Sequence, residues 1–462
     1  MQVTSITEYV GAAGTYLEWP VSIGDGVLSD VAPSFNQSFH LSAALENAED
    51  TSTVWIAVAF DVPGRIDVDA LSWAFAQFVE RHPALRTSFY ADSTGVRRRI
   101  HSPAEVEIGS PVRTRIFDSS SLSTHVRVRM NALCHPSRSP SYSFAAVDRR
   151  DRSTVLCGFD HAHVDAVSMT VAAEEIASFY TARRTGRQQT LESVGSFVEY
   201  CRTEADTPAA DVSDPRIASW ADFVAGCGGT TPMFPFDLGV PQGSSAPQAT
   251  SVHAVASDED TERFEHRCRE LGAGMFAGVA AALAQASSNI GGPTQLPLLF
   301  PLHTRRDPQF SRAVGWFTTN APMTVTVGAD FDETVTAAHA SFRAALPLAA
   351  VPIPRVLEAL GENFHRSRQD VFMVSYIDYR GVPGADCAES NAHHISNVTT
   401  ADDAQFWVSR TRDGLSLRSR FPDTPEAHRI IENIAAELTR VLAAHVTTSV
   451  AAYELSLVGP RA

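Results

Sequence analysis

Residues 158–169 read GFDHAHVDAVSM, and in them an apolar strand runs into two histidines, an aspartate and the start of a helix. His161, His163 and Asp165 alternate by two, so an extended chain would point all three to one side. Three interpretations fit this pattern: satisfied polar groups at a strand end, zinc ligands, or a catalytic base with its support. A polar group at such a junction can face a cleft while a rigid sheet holds it in place.

The sequence around this stretch predicts a mixed α/β (α+β) protein. Residues 53–64 (TVWIAVAFDVPG) are typical of a buried strand that ends at a Pro-Gly break, and residues 167–184 predict a helix with one broad apolar face. Residues 405–421 (QFWVSRTRDGLSLRSRF) predict a hairpin with Asp413-Gly414 as its turn. Strands and helices mix without strict βαβ alternation, which indicates a two-domain α+β or mixed α/β protein.

The chain has 462 residues, which is too long for one hydrophobic core and predicts two domains. We expect an N-terminal domain over residues 1–183 and a C-terminal domain over 184–462, with the Gly-, Pro- and Ser-rich segment 227–248 crossing between them. Because residues 1–14 lack a basic region followed by an apolar stretch, and no run of about 18 apolar residues occurs, we expect a soluble, cytoplasmic protein without a membrane span.

Charge and cysteine content exclude several functions. A net charge of −16 argues against nucleic acid as a partner, since phosphate binding needs clustered cations. All 37 basic residues are arginine, so a Schiff-base lysine or a phosphate-binding P-loop lysine is excluded. The six cysteines are widely scattered, and we interpret most of them as small buried apolar residues rather than disulfide partners.

A metal site is disfavoured by the lack of a second ligand cluster. The only other histidine-rich stretch, NAHHIS at 391–396, is interpreted as a polar loop. The spacing H-x-x-x-D occurs twice, from His161 to Asp165 and from His303 to Asp307. We interpret the second as charge pairing in an arginine-rich loop, so residues 158–169 remain the candidate site, with no metal.

Five stretches together resemble the motifs of nonribosomal peptide synthetase condensation domains, in the same order and over roughly residues 35–440. Freestanding members of that superfamily, such as polyketide-associated acyltransferases and stand-alone condensation enzymes, show the greatest similarity. The stretches are RHPALRTSF (81–89), DHAHVDA (160–166), SFVEYCR (196–202), VGWFTTNAPMTV (314–325) and RSRQDVFMVSYID (366–378).

The resemblance implies a fold of two chloramphenicol-acetyltransferase-like domains, arranged in a V with a central tunnel. Donor and acceptor would enter the tunnel from opposite faces and meet at its middle. A floor loop near residues 314–322 would reach back toward the first domain, and a latch near residues 379–400 would cross between the domains.

The resemblance also implies roles for individual residues. His161 matches the catalytic histidine, and Asp165 matches an aspartate that fixes the loop by pairing with an arginine, for which Arg86 is the first choice and Arg305 the second. Asp160 replaces a structural histidine of the motif, and His163 inherits no role. Residues expected to line the tunnel or contact the tetrahedral centre, with plain core packing as the alternative for the two aromatic ones, are Trp316, Phe317, Asn320 and Ser375.

The implied reaction moves an acyl or aminoacyl group from a phosphopantetheine thioester to a hydroxyl or amine of a small-molecule acceptor. The donor would be a carrier protein acting in trans or acyl-CoA, no cofactor would be tightly bound, and ester formation in natural-product biosynthesis is favoured. Arginines at 148–152, or at 305–306 and 312, would meet an acidic carrier protein, and the alternative for each single residue is solvated loop charge. The alternatives are a catalytically silent scaffold that binds carrier proteins and an epimerase of the same fold.

Overall fold

A computed structural model describes residues 1–46, 53–93, 95–189, 191–207, 213–384 and 391–457. Within these residues the chain divides into two compact units. Unit 1 comprises residues 1–208, 303–318 and 381–399, and unit 2 comprises residues 209–302, 319–380 and 400–462.

The helices and strands follow in chain order. The first part of the chain forms β1 (Gln2–Ser5), β2 (Thr15–Trp19), β3 (Val21–Ile23), β4 (Val27–Leu28), α1 (Phe35–Glu46), β5 (Trp55–Pro63), α2 (Val68–Arg81), β6 (Thr87–Asp92), β7 (Gly95–Ile100), β8 (Val106–Ile108), β9 (Val112–Arg115), α3 (Ser119–Leu133), β10 (Tyr142–Asp148), β11 (Arg152–Asp160), α4 (Ala166–Thr185) and α5 (Phe197–Ala205). The second part forms α6 (Pro215–Gly226), β12 (Ala246–Ala256), α7 (Asp258–Glu270), α8 (Met275–Asn289), β13 (Gln295–His303), β14 (Thr318–Thr326), α9 (Phe331–Ala345), α10 (Ile353–Leu360), β15 (Met373–Asp378), β16 (His393–Ser396), β17 (Thr400–Ala401), β18 (Gln405–Thr411), β19 (Gly414–Pro422) and α11 (Pro425–Leu457).

The main sheet of unit 1 has the strand order β1-β16-β5-β11-β10-β2-β9. The two central strands β5 and β11 pair antiparallel over nine residues, and nearly every residue of β11 is buried. Such a strand reads as a continuous apolar run because both faces of the sheet are covered. Helices α2 and α4 pack their apolar faces into one core with β5 and β11, and this core fixes where β11 ends.

Unit 2 contains a second large sheet in the order β14-β13-β15-β18-β19-β12-β17. The alanine-rich helix α8 is buried in its core together with α9 and α11, since its small side chains allow neighbouring elements to approach closely. The predicted hairpin is present as β18 and β19, and Thr411 pairs with Gly414. Its two-residue turn is therefore Arg412-Asp413, one position before the turn that the sequence predicts.

Two features of the chain path differ from the sequence-based expectation. The histidine-rich stretch at 391–396 is not a polar loop, because His393–Ser396 form β16, which inserts between β1 and β5. A single domain boundary at residue 184 is also not seen. The first unit extends to residue 208 and also includes two segments from later in the chain, 303–318 and 381–399. The Gly- and Pro-rich segment 227–248 lies within unit 2.

In the part of the chain that the structure describes, no one helix has the length and apolarity needed to cross a membrane. Two sharply bent helix pairs, Asp258–Glu270 with Met275–Asn289 and Phe331–Ala350 with Ile353–Asn363, meet the length and composition test only when each pair is counted together.

Candidate active site

The stretch 158–169 folds as a strand, a tight turn and a helix. Strand β11 ends at Asp160, residues His161–His163 form one 3₁₀ turn, and α4 begins at Ala166. The turn is anchored to the sheet, because the His161 N–H donates to the carbonyl of Val54 at 3.0 Å. The sequence pattern predicts this order of elements, and the structure confirms it.

His161 is a partly exposed residue, and its ring lies against an indole. Its ring centroid is 4.0 Å from that of Trp316, with the ring planes tilted by 34°. Among the described residues, no hydrogen-bond partner reaches the buried Nδ1 atom. Burial, followed by the nearby His40, lowers the pKa of His161, while Asp160 and Asp165 act in the opposite direction. The imidazole is therefore held neutral, the form that can accept a proton.

Asp165 is the N-cap of α4. Its carboxylate accepts from the N–H of Ser168 at 2.9 Å and from the Ser168 hydroxyl at 2.8 Å. Arg305 donates two further bonds of 2.5 and 2.8 Å to it, and the Phe317 N–H donates at 3.1 Å. Burial raises the pKa of Asp165, but Arg305 and Ser168 outweigh that effect and the pKa is lowered. The carboxylate is thus an anion whose oxygens are occupied by the protein.

The prediction that Asp165 pairs with Arg86 is wrong. Its partner is Arg305, the second choice from the sequence. The Arg86 side chain instead donates to the carbonyls of His101 at 2.8 Å and Val79 at 3.3 Å. Arg86 ends the 3₁₀ turn Pro83–Arg86, and its guanidinium reaches back to the last turn of α2, whose carbonyls lack partners within the helix. Arg305 is buried beneath α4, with its guanidinium 4.4 Å from the Phe317 ring centroid.

Asp160 and His163 are both fully buried and paired. Asp160 accepts from the Ala162 N–H at 2.9 Å and lies 3.1 Å from His40 Nε2 through both carboxylate oxygens. The His163 Nε2 atom is 2.7 Å from the Ser141 hydroxyl, and its Nδ1 is 2.9 Å from the carbonyl of Ala84. His163 is therefore a satisfied core histidine, the first of the three interpretations of the stretch.

The four predicted tunnel residues separate into two groups. Trp316 lies beside His161, but the Phe317 side chain is entirely buried in the core of unit 1, so the core-packing alternative holds for it. Asn320 and Ser375 belong to unit 2, on strands β14 and β15. Their roles, the V arrangement, the tunnel, the floor loop and the latch stay predictions, and residues 385–390 of the expected latch lie outside the described residues.

The expected arginine patches are largely engaged within the protein. Arg305 is only 4% exposed and is held by Asp165, which removes it from any docking surface. Arg312 pairs with Glu174, and Arg149 and Arg152 each lie 3.6 Å from Asp61. A carrier-protein contact at these positions stays a prediction.

Sequence reasoning missed His40 as a member of this site. It is part of α1, about 120 positions before its partner Asp160. One signal was available: a carboxylate in place of a motif histidine needs a cation nearby if it is buried. With 16 histidines and 37 arginines in the chain, that signal does not identify which residue supplies the charge.

The chain is similar in sequence and in fold to known acyltransferases. The condensation-domain family profile matches residues 42–402. The acyltransferase PapA3 of Mycobacterium tuberculosis is 26% identical over 460 residues, covering 96% of each chain. The trehalose-2-sulfate acyltransferase PapA2 of the same species is 28% identical over 459 residues, covering 95% of this chain and 96% of the relative. The solved structure of PapA2 acyl transferase superposes with a TM-score of 0.87 at 25% identity, covering 96% of this chain and all of that one.

Proposed function

Because the chain belongs to the condensation-domain family and is an acyltransferase, we propose that it transfers an acyl group from a phosphopantetheine thioester to a sugar hydroxyl. The fold class expected from the sequence, a mixed α/β chain with two sheet-rich halves, is confirmed. The observation that carries the proposal is the neutral, partly exposed imidazole of His161, presented at the end of a buried strand beside Trp316.

A thioester donor suits a site built around one imidazole. The acyl carbon is already activated, so the protein has to bring the acceptor close and manage one proton. Because Nδ1 of His161 is buried, we assign proton transfer to Nε2. The imidazole removes the proton from the acceptor hydroxyl as its oxygen attacks the thioester carbonyl. A new C–O bond forms, the C–S bond breaks, and the imidazolium returns the proton to the leaving thiolate.

The remaining polar residues of the site hold the base in position. The Asp165 carboxylate accepts hydrogen bonds from Arg305, Ser168 and the Phe317 N–H. It therefore supports the turn and does not contact substrate. The Arg305–Asp165 pair also fixes the segment that carries Trp316 against the N-terminus of α4. His161 and the indole are thereby held together by contacts that converge on one carboxylate.

Two features support a hydroxyl acceptor and an ester product. PapA2 is named for acylation of trehalose-2-sulfate, and PapA1, also a relative, is named for transfer of a (hydroxy)phthioceranyl group to a 2'-acyl-2-O-sulfo-trehalose. A sugar hydroxyl needs a base to remove its proton as it attacks, and a neutral histidine near pH 7 supplies one. We therefore propose that the acceptor of this chain is also a sugar hydroxyl.

The proposal is tested with a matrix of donors and acceptors. Purified protein is incubated with palmitoyl-CoA or octanoyl-CoA, and with trehalose, trehalose-2-sulfate or a primary amine that carries no hydroxyl, such as hexylamine. Thiol release and product mass are both measured. We expect an acylated sugar carrying one added acyl group, with the ester exceeding the amide.

Two other outcomes would contradict the proposal. Exclusive amide formation would overturn the hydroxyl acceptor. If no product appears with acyl-CoA, the same acyl groups are loaded on a phosphopantetheinylated carrier protein. Absence of product there as well, together with tight carrier binding, would favour the silent scaffold.

A further inference from the structure

Asp160 is a buried carboxylate beside the proposed base. Its side chain has no exposed surface, and it stands where the condensation-domain motif has a histidine. The His40 side chain, 11% exposed, approaches it through Nε2, which is 3.1 Å from each of the two carboxylate oxygens. The pair lies between the first helix of unit 1 and the end of its central strand.

The burial of Asp160 requires a positive partner. Its other contacts are the neutral Ala162 N–H at 2.9 Å and the Thr53 hydroxyl at 3.3 Å. Leaving a carboxylate buried without a counter-charge costs several kcal/mol. Burial lowers the pKa of His40, but Asp160 outweighs that effect and the pKa is raised. The pairing therefore favours the charged form of both side chains, because the pKa of Asp160 is lowered while that of His40 is raised.

His40 and His161 contact the same indole. The Trp316 ring centroid is 6.0 Å from that of His40 and 4.0 Å from that of His161. After burial, His40 is the group that most lowers the pKa of His161, because a nearby cation disfavours a second positive charge on the neighbouring ring.

The other titratable and charged groups around this pair lie on several elements. Asp160 and Asp165 flank His161, and His163 follows it in the same turn. Arg98 of β7 donates to Gln37, whose side-chain amide donates to the Ala162 carbonyl in that turn, and Glu204 of α5 accepts from the Phe35 N–H. Both of these contact the N-terminal end of α1.

We propose that His40 is a positioning residue of the acyl-transfer site, an inference that rests on the proposed function. Held protonated by Asp160, it keeps His161 in the neutral form that accepts the acceptor's proton. The same pair holds the turn, since Asp160 also binds the Ala162 N–H next to His161. His40 thus adds to the effect of burial in favouring the neutral base, and the pair holds the turn that carries it.

The first test measures protonation directly and needs no substrate. In protein labelled with ¹³C at histidine Cε1, the resonances of the two rings are assigned by single substitution and followed with pH. In the wild-type protein we expect His40 to be an imidazolium at pH 7.5 and His161 to be neutral. A neutral His40 at that pH would overturn the inference, whatever the protein transfers.

The second test removes the cation. His40→Gln leaves the Asp160 carboxylate alone beside His161, so the titration of His161 should move up by about 1 pH unit. Adding Asp160→Asn in the same chain should reverse most of that rise. The matched control is His428→Gln, because His428 pairs with Asp423 at 2.8 Å on the exposed surface of unit 2. An unchanged His161 titration in His40→Gln would overturn the inference.

The third test follows catalysis. In the pH profile of kcat/KM for palmitoyl-CoA and trehalose, the acidic limb should shift to higher pH in His40→Gln, by the same amount as the titration of His161. It should not shift in His428→Gln. A loss of kcat with an unmoved limb would assign His40 a purely structural role and contradict the inference. If no probe yields acyl transfer, the proposed function fails, whereas the two spectroscopic tests still decide the charge coupling.

Discussion

His161 and Asp165 stand in one H-x-x-x-D motif but do different physical work. The imidazole is partly exposed and lies against Trp316, whereas the carboxylate is buried and bound by Arg305, Ser168 and a backbone N–H. Loss of activity in an Asp165 variant would therefore report loss of the scaffold and not of a catalytic group. The distinction depends on Arg305, the arginine that actually pairs with Asp165.

Arg305→Met should lower the free energy of unfolding by about 3–5 kcal/mol, because it leaves the Asp165 carboxylate buried without its counter-charge. Arg86→Met is the matched control, since Arg86 donates only to backbone carbonyls and its removal should cost roughly 1–2 kcal/mol. Urea unfolding of both variants measures the difference. Equal losses of unfolding free energy in the two variants would contradict the assignment of Arg305, and not Arg86, as the partner of Asp165.

The residues of the site were predictable only where the relevant contact is local. An apolar run followed by polar residues and a capped helix predicts the strand, turn and helix at 158–169, because those preferences act within a few residues. Arg305 is 140 positions from Asp165, and His40 is 120 positions from Asp160. Their pairing is fixed by the fold as a whole, so neither partner could be selected from spacing.

The segment 303–318 positions Trp316 by several contacts along its length. Besides the Arg305–Asp165 pair, the Gly315 N–H donates to the Ser168 hydroxyl at 3.2 Å, and the Gly315 carbonyl lies 3.1 Å from the same hydroxyl oxygen. Between these two contacts, Arg312 pairs with Glu174 on α4. The segment is therefore attached to α4 and its N-cap at three positions, and these contacts place the indole beside His161.

Gly315→Ala should disturb this segment and lower acyl transfer. A Cβ there would come within 2.5 Å of the Phe197 ring and 2.7 Å of the Phe317 ring, both in the packed core, so overpacking of about 1–3 kcal/mol is expected. Gly226→Ala is the control, because nothing lies within 4 Å of its added Cβ. We expect the control to be neutral or slightly stabilising. Thermal unfolding and kcat/KM check both variants, and equal behaviour would contradict the assigned packing.

The whole chain is organised differently from two consecutive domains. Strand β16, at His393–Ser396, pairs in parallel with β1 and antiparallel with β5, so a late segment completes the sheet begun by the first residues. Four residues with two histidines carry a weak strand pattern, and their pairing is decided by an edge that lies nearly the whole chain away. The two-unit organisation was predictable from length, whereas the exchange of segments was not.

A titration in unit 2 should make the stability of the molecule depend on pH. Burial raises the pKa of Asp403 to about 7, while the N–H groups of Ala404 and Phe234 act in the opposite direction. The folded pKa lies above the ordinary value of 3.8, so the fold holds a proton that the unfolded chain releases. Stability contributed by this group is therefore present near pH 4 and is lost as the pH rises toward 7 and above.

Asp403→Asn imitates the protonated side chain and should remove that dependence. The substitution should raise the free energy of unfolding more at pH 8 than at pH 5, by roughly 2–4 kcal/mol. Urea unfolding of wild type and variant at both pH values measures this difference. The same change in unfolding free energy at both pH values would show that Asp403 is ionised throughout.

The role of His161 as the base is tested most directly by the rate of acyl transfer in His161→Ala, at pH 7.5 with saturating palmitoyl-CoA and trehalose. Ester formation is followed by product mass, and His428→Ala is the surface control. We predict that kcat falls by about 10²- to 10⁴-fold in His161→Ala and does not change in the control. Wild-type rates in a folded His161→Ala protein would contradict the account.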